Sequence, residues 1–309
     1  MSKVQLVKIK DVDDGMRLNR WFLKYYPDLP LSRLNKLLRT KQVKVDGKKS
    51  DASLKLGAGQ EVRIPPLDDK PQELREKKIS DRDREFINSM VIYKDDNIIV
   101  LNKPSGIAVQ GGTNTDRHVD GMLEALSFDL NEAPKLVHRI DKNTSGILVL
   151  ARNRKYAELL TKAFKDHNLQ KTYLALVIGK PLRQGGEIKA PLEKIGEKVV
   201  VVDDGKKAVS TFKVIDAVGE KFSLLEVSPL TGRTHQIRAH MEYLGTPIVG
   251  DDKYFGEERQ RFKLLADKLH LHAYKIDLSV LYSKKFEIKA KLPKYFEQDL
   301  ESLGINFKE

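Results

Sequence analysis

The apolar residues near the start of the chain recur at helical spacing. Residues 17–26 carry four of them at positions i, i+3, i+4 and i+7, namely Leu18, Trp21, Phe22 and Tyr25. This period is typical of an amphipathic helix that buries one face. A second short helix is predicted after Pro30, with Ser32 as its N-cap and a buried stripe of Leu34, Leu37 and Leu38.

The pattern then changes to alternation of apolar and polar residues. The segments VKVDGKK and EVRIPP both alternate in this way, which predicts short strands with one buried face. Asp46 and Gly47 form a dipeptide that favours a two-residue hairpin turn. Two helices, a hairpin and a further strand therefore predict a small N-terminal domain over residues 1–64.

Residues 65–90 are predicted to be a linker between domains. They open with two prolines and continue with charged residues of both signs and few apolar ones. Such a composition is typical of a connecting segment and gives little material for a core.

The segment from residue 91 onward contains many short strand-type runs separated by turns. Examples are NIIVLNKP, GILVLAR, TYLALVIGK and FSLLEVSPL. Strands and helices do not alternate regularly, which argues against a doubly wound parallel sheet. We predict an α+β fold, in which residues 91–309 form a second domain built on a mixed or antiparallel sheet.

The charge of the chain favours a polyanionic partner. The formal net charge is +12, and residues 1–64 hold 15 Lys and Arg against 7 Asp and Glu. The predicted second helix and hairpin carry a dense group of cations that suits a phosphate backbone. The expected RNA-binding residues of this group are Arg33, Lys36, Arg39, Lys41 and Lys44.

Composition also limits the chemistry available to the protein and indicates its cellular compartment. The 309 residues include no cysteine, which excludes disulfides, thiol nucleophiles and cysteine-ligated metal centres. The first residues lack an apolar signal core, and no apolar run is long enough to span a bilayer. We therefore expect a cytoplasmic protein that does not act at a membrane.

Three segments of the second domain combine turn residues with a high density of polar groups. They are NKPSGIAVQGG at 102–112, HRIDKNTSGILVLAR at 138–152 and TGRTHQIRAH at 231–240. Taken singly, each has an ordinary structural interpretation, because an aspartate followed by Asn-Thr-Ser-Gly is common in turns. Their occurrence together in one domain makes a catalytic site the better interpretation.

Two other constellations in these segments suggest different chemistry. His270 and His272 alternate on a strand and could be a metal pair, but two histidines need further ligands, so we expect no metal site. His138, Asp141 and Ser145 could suggest a hydrolase triad. No G-x-S-x-G elbow surrounds the serine, which argues against that class.

The ordered motifs of residues 91–300 resemble the RluA/RluC/RluD family of pseudouridine synthases. The resemblance rests on VIYKDDNIIVLNKPSGIAV, LVHRIDKNTSGILVLAR, QKTYLALVIG and PLTGRTHQIRAHMEYLGTPIVGDDKY. Residues 15–64 resemble the S4 RNA-binding domain, notably in LSRLNKLLRTKQVKVDGKK. An S4-like module before these motifs is similar to the C-type members of the family, with the D-type members as the nearest alternative.

The resemblance implies a role for individual residues. Asp141 corresponds to the catalytic aspartate, whose carboxylate attacks the uridine so that the base detaches, rotates and rejoins through C5. Tyr173 corresponds to an active-site tyrosine that could transfer a proton if its pKa is lowered. Arg238 is expected to form an ion pair with Asp141. Arg139 is expected to fill the place of the flipped base in the RNA, and Arg233 to contact RNA.

The resemblance also implies a substrate and the absence of a cofactor. We expect isomerisation of specific uridines to pseudouridine in 23S ribosomal RNA, as free RNA or an assembling particle, by a monomer that uses no cofactor and no metal. Gln110 departs from the histidine common in the family at that place. A non-catalytic ribosome-assembly factor and a glycosidase with a second carboxylate remain alternatives, and the latter would have no use for the basic N-terminal module.

Overall fold

The computed structural model describes residues 4–67, 79–112, 115, 117–130, 132–255, 265–282 and 284–307. The chain divides into two compact units, Met1–Lys78 and Ile79–Glu309. The helices are α1 Leu18–Tyr25, α2 Leu31–Arg39, α3 Asp81–Ser89, α4 Arg154–Lys165, α5 Gln236–Tyr243 and α6 Lys294–Leu303. Within the described ranges, every helix is too short or too polar to cross a membrane.

The N-terminal unit contains two helices and a four-stranded sheet. Its strands are β1 Gln5–Lys8, β2 Lys44–Val45, β3 Lys48–Lys49 and β4 Glu61–Ile64, in the order β1-β4-β2-β3. The predicted stripe of α1 is buried at Leu18, Trp21 and Phe22, which join one core cluster with Leu34 and Leu38 of α2. The predicted helices and hairpin are therefore present.

Two details of the N-terminal unit depend on local backbone geometry. Asp46 and Gly47 both have positive φ, 47° and 73°, as a two-residue turn between twisted strands requires. Helix α2 begins at Leu31, directly after Pro30 with φ −59°. Ser32 thus lies within the first turn, and its prediction as the N-cap was wrong because the proline already sets the entry into the helix.

The end of the predicted linker is structured. Residues 68–78 lie outside the described residues, but Asp81–Ser89 forms helix α3, capped by Ser80, whose Oγ accepts the Asp83 amide at 3.1 Å. Ile87 and Met90 are buried in a core cluster of the second unit. The linker prediction was wrong for residues 81–90, because two well-spaced apolar side chains suffice to anchor a polar helix by one face.

The second unit is built on a long mixed sheet. Its strands are β5 Val91–Lys94, β6 Ile98–Lys103, β7 Lys135–Leu136, β8 Ser145–Ala151, β9 Lys171–Ile178, β10 Gly185–Lys189, β11 Leu192–Ile195, β12 Lys198–Val201, β13 Val209–Val218, β14 Phe222–Pro229, β15 Leu271–Asp277 and β16 Glu287–Lys289. The main path runs β10-β13-β14-β9-β15-β8-β6-β5, while β16 pairs with β15 and β7 with β8. β15 and β8 are parallel, and the other pairs on the path are antiparallel. The predicted mixed sheet is confirmed.

The centre of this sheet is buried on both faces. All seven residues of β8 are buried, and successive side chains enter two different core clusters, one of which includes Leu160 and Ala163 of α4. This explains the uninterrupted apolar run GILVLA. Gly146 has φ 104°, and a Cβ there would lie 2.3 Å from the Ala273 carbonyl oxygen, so the close approach of β15 to β8 requires glycine.

Candidate active site

Asp141 stands on the loop that leads into β8, at the edge of a cavity of about 510 Å³. Its side chain is 33% exposed, and its carbonyl oxygen accepts the Thr144 amide at 3.2 Å, which closes the turn before the strand. A carboxylate in this position has solvent access on one side and protein on the other. The cavity is within the size range of small-molecule sites.

Tyr173 lines the same cavity from strand β9. Tyr173 pairs with Ala273 of β15, and Ala273 pairs with Gly146 of β8. Tyr173 therefore lies two strands away from β8, the strand that follows the Asp141 loop. Burial and the neighbouring charge of Asp141 both raise the pKa of Tyr173. The condition stated above for proton transfer, a lowered pKa, is not met in this structure, because an anion beside a phenol in a poorly solvated place favours the neutral phenol.

Arg238 lies on α5 and also lines the cavity, but its ion pairs differ from the prediction. Its Nε and Nη2 donate to Oδ2 and Oδ1 of Asp251 at 2.7 and 2.6 Å, and Nη2 also donates to Asp252 at 3.1 Å. Among the described residues, no hydrogen bond or ion pair joins Asp141 to this guanidinium, and Asp141 acts on Arg238 only through its charge. The predicted Arg238–Asp141 pair is therefore wrong, because Asp251 matches the guanidinium with two parallel hydrogen bonds.

The cation–anion pair of Arg238 and Asp251 is deeply buried. The two side chains are 4% and 0% exposed. Asp251 also accepts the backbone amides of Lys253 and Tyr254, both at 3.0 Å. Burial opposes the charge on Arg238, but the hydrogen bond and charge of Asp251 outweigh it and raise the pKa of Arg238. The pair joins α5 to the segment GDDKY.

His235 is the basic side chain that faces Asp141. Its Nε2 lies 3.9 Å from Asp141 Oδ2, and its Nδ1 is 3.1 Å from the Tyr254 hydroxyl. Burial lowers the pKa of His235, and the charge of Asp141 acts in the opposite direction. The sequence interpretation missed this residue, although it stands in the motif TGRTHQIRAH that was singled out.

Lys103 is a second group that the sequence interpretation missed. The side chain is fully buried, and Nζ donates to the carbonyl oxygens of Pro104, Ile107 and Lys142 at 2.9, 2.9 and 3.0 Å. These bonds tie the turn after β6 to the residue that follows Asp141. Burial lowers the pKa of Lys103 to about 7, and the charge of Asp141 opposes that shift. The sequence feature that could have identified Lys103 is a lysine at the end of an apolar strand.

Arg139 and Arg233 are both exposed at the rim of the cavity, and their contact with RNA stays a prediction. Arg233 Nε donates to the Lys207 carbonyl at 3.1 Å. Both arginines and Asp141 also line a second, more polar cavity of about 350 Å³, together with Gln110 and Lys142. Gln110 therefore lies close to the candidate site.

The histidines considered for other chemistry are held in structural contacts. His138 Nε2 accepts the Val149 amide at 2.8 Å, and the ring stacks on Phe164 with centroids 4.0 Å apart. Burial lowers the pKa of His138 to about 3, so it is neutral at physiological pH. Ser145 Oγ instead contacts Nδ1 of His272 at 2.9 Å. The three residues of the suggested triad thus do not form a relay.

His270 and His272, the suggested metal pair, are likewise held in structural contacts. His270 contacts Asp299 through Nε2 and the Lys268 carbonyl through Nδ1, both at 2.8 Å. His272 contacts Ser145 and the Ala290 carbonyl, the latter at 3.1 Å. Both rings are fully buried, and their nitrogens are occupied by different partners.

Comparison with known proteins shows the family of the chain. The sequence profile of the RNA pseudouridylate synthase family matches residues 97–243. A ribosomal large subunit pseudouridine synthase C from Rickettsia conorii is 36% identical, over 92% of this chain and 96% of its own length. One from Vibrio vulnificus is also 36% identical, over 98% and 97%. The solved structure of human RNA pseudouridylate synthase domain containing 4 is 26% identical, covers 73% of this chain and 97% of its own, and superposes with a TM-score of 0.63.

Proposed function

The chain belongs to the RNA pseudouridine synthase family and is an isomerase, and on that premise we propose that it converts uridines of large-subunit ribosomal RNA to pseudouridine through Asp141. The observation that carries the proposal is a single cavity that brings together Asp141 and Tyr173 beneath a rim of exposed arginines. Relatives named ribosomal large subunit pseudouridine synthase C support large-subunit ribosomal RNA as the substrate, and we propose that this RNA is 23S rRNA and that the protein acts in the cytoplasm.

In the proposed reaction, Asp141 is the nucleophile and the cavity holds the flipped uridine. The uridine must leave the RNA stack, because its C1′ and C5 are inaccessible within a helix. Arg139, exposed at the rim shared by the two cavities, takes the vacated place in the stack, since its guanidinium is planar and permanently charged. Nucleotides beside the target then lie along the second cavity, which Gln110 and Lys142 line.

Tyr173 is proposed to contact the uracil ring. Because its pKa is raised, the phenol keeps its proton at neutral pH and is a hydrogen-bond donor to the base in the substrate-free enzyme. Arg238 supports the site through its position beside the cavity and its buried pair with Asp251. Arg233 offers a charge to the RNA backbone at the rim.

The N-terminal unit is proposed to be an S4-type RNA-binding domain. Four of its expected contact residues, Arg33, Lys36, Arg39 and Lys41, are exposed, and Lys44 is half-buried. They lie on α2, in the segment that follows it and on β2 of the hairpin. Cations grouped on a helix and hairpin suit phosphate contacts, which contribute affinity without reading sequence.

The test of the proposed function is release of tritium from C5-labelled uridine in protein-free 23S rRNA. Wild-type protein is expected to release tritium and Asp141→Asn to release none, because the amide cannot act as the nucleophile. Equal release by both proteins would reject Asp141 as the catalytic group. No release by either protein, on free RNA and on assembling particles alike, would favour the non-catalytic assembly factor.

A further inference from the structure

His235 has an unusual backbone conformation at the edge of the cavity. It has φ 53° and ψ 19°, in the left-handed region, immediately before α5. This conformation is unfavourable for a residue with a Cβ and persists where the surroundings hold it in place. It turns the imidazole between Asp141 and Tyr254, so an observed backbone outlier coincides with the candidate catalytic carboxylate.

We propose that His235 is a positioning residue for Asp141, and that the Tyr254 hydroxyl decides which imidazole nitrogen carries the proton. The proposal rests on the proposed function, in which Asp141 is the nucleophile. In the reacting complex, His235 Nε2–H donates a hydrogen bond to Oδ2 of the carboxylate, and Oδ1 reacts with the uridine.

The hydrogen bonds of Tyr254 determine the tautomer of His235. Tyr254 is 3% exposed, and its hydroxyl oxygen accepts the Val199 amide at 3.0 Å. Its own proton then has His235 Nδ1, at 3.1 Å, as an acceptor. A buried hydroxyl that accepted from both groups would leave its proton without a partner, which is unfavourable. Nδ1 therefore accepts, and the proton of the neutral imidazole lies on Nε2, which faces Asp141.

The distance between His235 Nε2 and Asp141 Oδ2, 3.9 Å, is longer than a hydrogen bond in the substrate-free structure. Catalytic hydrogen bonds are commonly long without substrate and shorten in the reacting complex. The charged groups that surround His235 are Asp141, Arg238, Lys253 and Asp251. Burial keeps the ring neutral at physiological pH, so the position of its single proton determines what it offers to Asp141.

The position of Tyr254 is fixed by the buried ion pair. The Arg238 guanidinium lies 5.0 Å from the centre of the Tyr254 ring, and the Tyr254 amide donates to Asp251 at 3.0 Å. A continuous set of contacts thus leads from Asp251 through Tyr254 and His235 to Asp141. This gives the segment GDDKY a role in orienting the nucleophile, although Asp251 and Tyr254 are themselves buried.

The first experiment compares His235→Asn with His235→Gln in single-turnover assays on the full chain. Asparagine tolerates left-handed backbone but is too short to reach Asp141, whereas the glutamine amide can replace Nε2–H. We expect His235→Asn to lower the rate about 10- to 100-fold, as loss of a hydrogen bond to a charged group does, with RNA affinity unchanged. His235→Gln should recover part of that rate. A wild-type rate in His235→Asn, or a loss confined to RNA affinity, would overturn the proposal.

The second experiment observes the tautomer directly and does not depend on activity. The chain has seven histidines, so ¹⁵N NMR of histidine-labelled protein can resolve their ring nitrogens. We expect His235 to be protonated at Nε2 in the wild type, and Tyr254→Phe to shift protonation toward Nδ1. Tyr243→Phe, at a tyrosine of α5 that is 59% exposed, is the matched control and should leave the signals unchanged. Protonation at Nδ1 in the wild type would overturn the proposal.

Asp141→Asn on the same RNA separates this inference from the proposed function. If the wild type is inactive, or if Asp141→Asn is active, the proposed function fails. If the wild type is active and Asp141→Asn is inactive, a wild-type rate in His235→Asn rejects the positioning role alone.

Discussion

The loop before β8 and the segment after α5 each present an aspartate to the residues 235–238, but in contrasting surroundings. Asp251 is fully buried, accepts two hydrogen bonds from Arg238 and accepts two backbone amides. Asp141 is one-third exposed, and His235 faces it at 3.9 Å. The four hydrogen bonds to Asp251 stabilise the fold, whereas Asp141 keeps solvent access at a cavity and is therefore the better candidate for a reacting group. The surroundings of an aspartate thus distinguish a structural carboxylate from a candidate catalytic one.

The largest expected effect comes from Asp141→Asn. We expect turnover to fall by about 10⁴-fold or more, as when other enzymes lose their nucleophile. Thermal unfolding and RNA affinity should change little, because the Asp141 side chain is partly exposed and its distance to His235 is 3.9 Å. Calorimetry and filter binding measure both quantities. If the variant also unfolds or loses RNA binding, Asp141 has a structural role like that of Asp251, and the contrast between the two aspartates fails.

Asp251→Asn should instead act on stability. The substitution leaves the buried Arg238 charge without its bidentate partner, which is expected to lower the free energy of unfolding by about 3–5 kcal/mol. Urea unfolding measures the change, and Asp252→Asn is the matched control, because that side chain is 48% exposed and adds a single hydrogen bond at 3.1 Å. Equal stability of the two variants would contradict the structural role of Asp251.

Lys103 offers a pH-dependent test of how the Asp141 loop is held. Its pKa is about 7 in the folded protein and near 10.5 in the unfolded chain, so the unfolded chain binds more protons between these pH values. Wild-type stability relative to Lys103→Met should therefore rise with pH, by up to about 1.4 kcal/mol per pH unit. Urea unfolding at pH 7, 8.5 and 10 checks the slope. A constant difference would show that the three carbonyl hydrogen bonds hold the ammonium form against burial.

The smallest expected effect concerns the N-terminal unit. Replacing Lys36, Arg39 and Lys41 together by alanine should weaken RNA binding moderately and make it less salt-dependent. The slope of log affinity against log salt becomes shallower by about 0.7–0.9 for every phosphate that the protein no longer neutralises. Titrations at several salt concentrations measure it, with Lys8, Lys10 and Lys55 replaced as a charge-matched control. An unchanged slope would reject these residues as phosphate-binding groups.

Much of the architecture could be predicted from local pattern. The stripe of α1 and the Asp46-Gly47 turn reflect interactions within a few residues of sequence, so periodicity and turn chemistry were sufficient. The apolar run of β8 was recognisable as a strand from its composition, although its burial on both faces depends on distant segments. Helix α3 was missed because its sequence is mostly charged, and its anchoring by Ile87 and Met90 depends on a core assembled from distant segments.

The sequence by itself determined the family, the two-unit organisation, and the presence of Asp141 and Tyr173 among motifs typical of pseudouridine synthases. Tertiary structure alone decided the partners of these groups. Arg238 pairs with Asp251 and not with Asp141, His235 faces Asp141 at 3.9 Å, and burial raises the pKa of Tyr173. Motifs record which residue types are present, but hydrogen-bond partners and pKa values depend on distance, orientation and solvation, which exist only once remote segments are packed together.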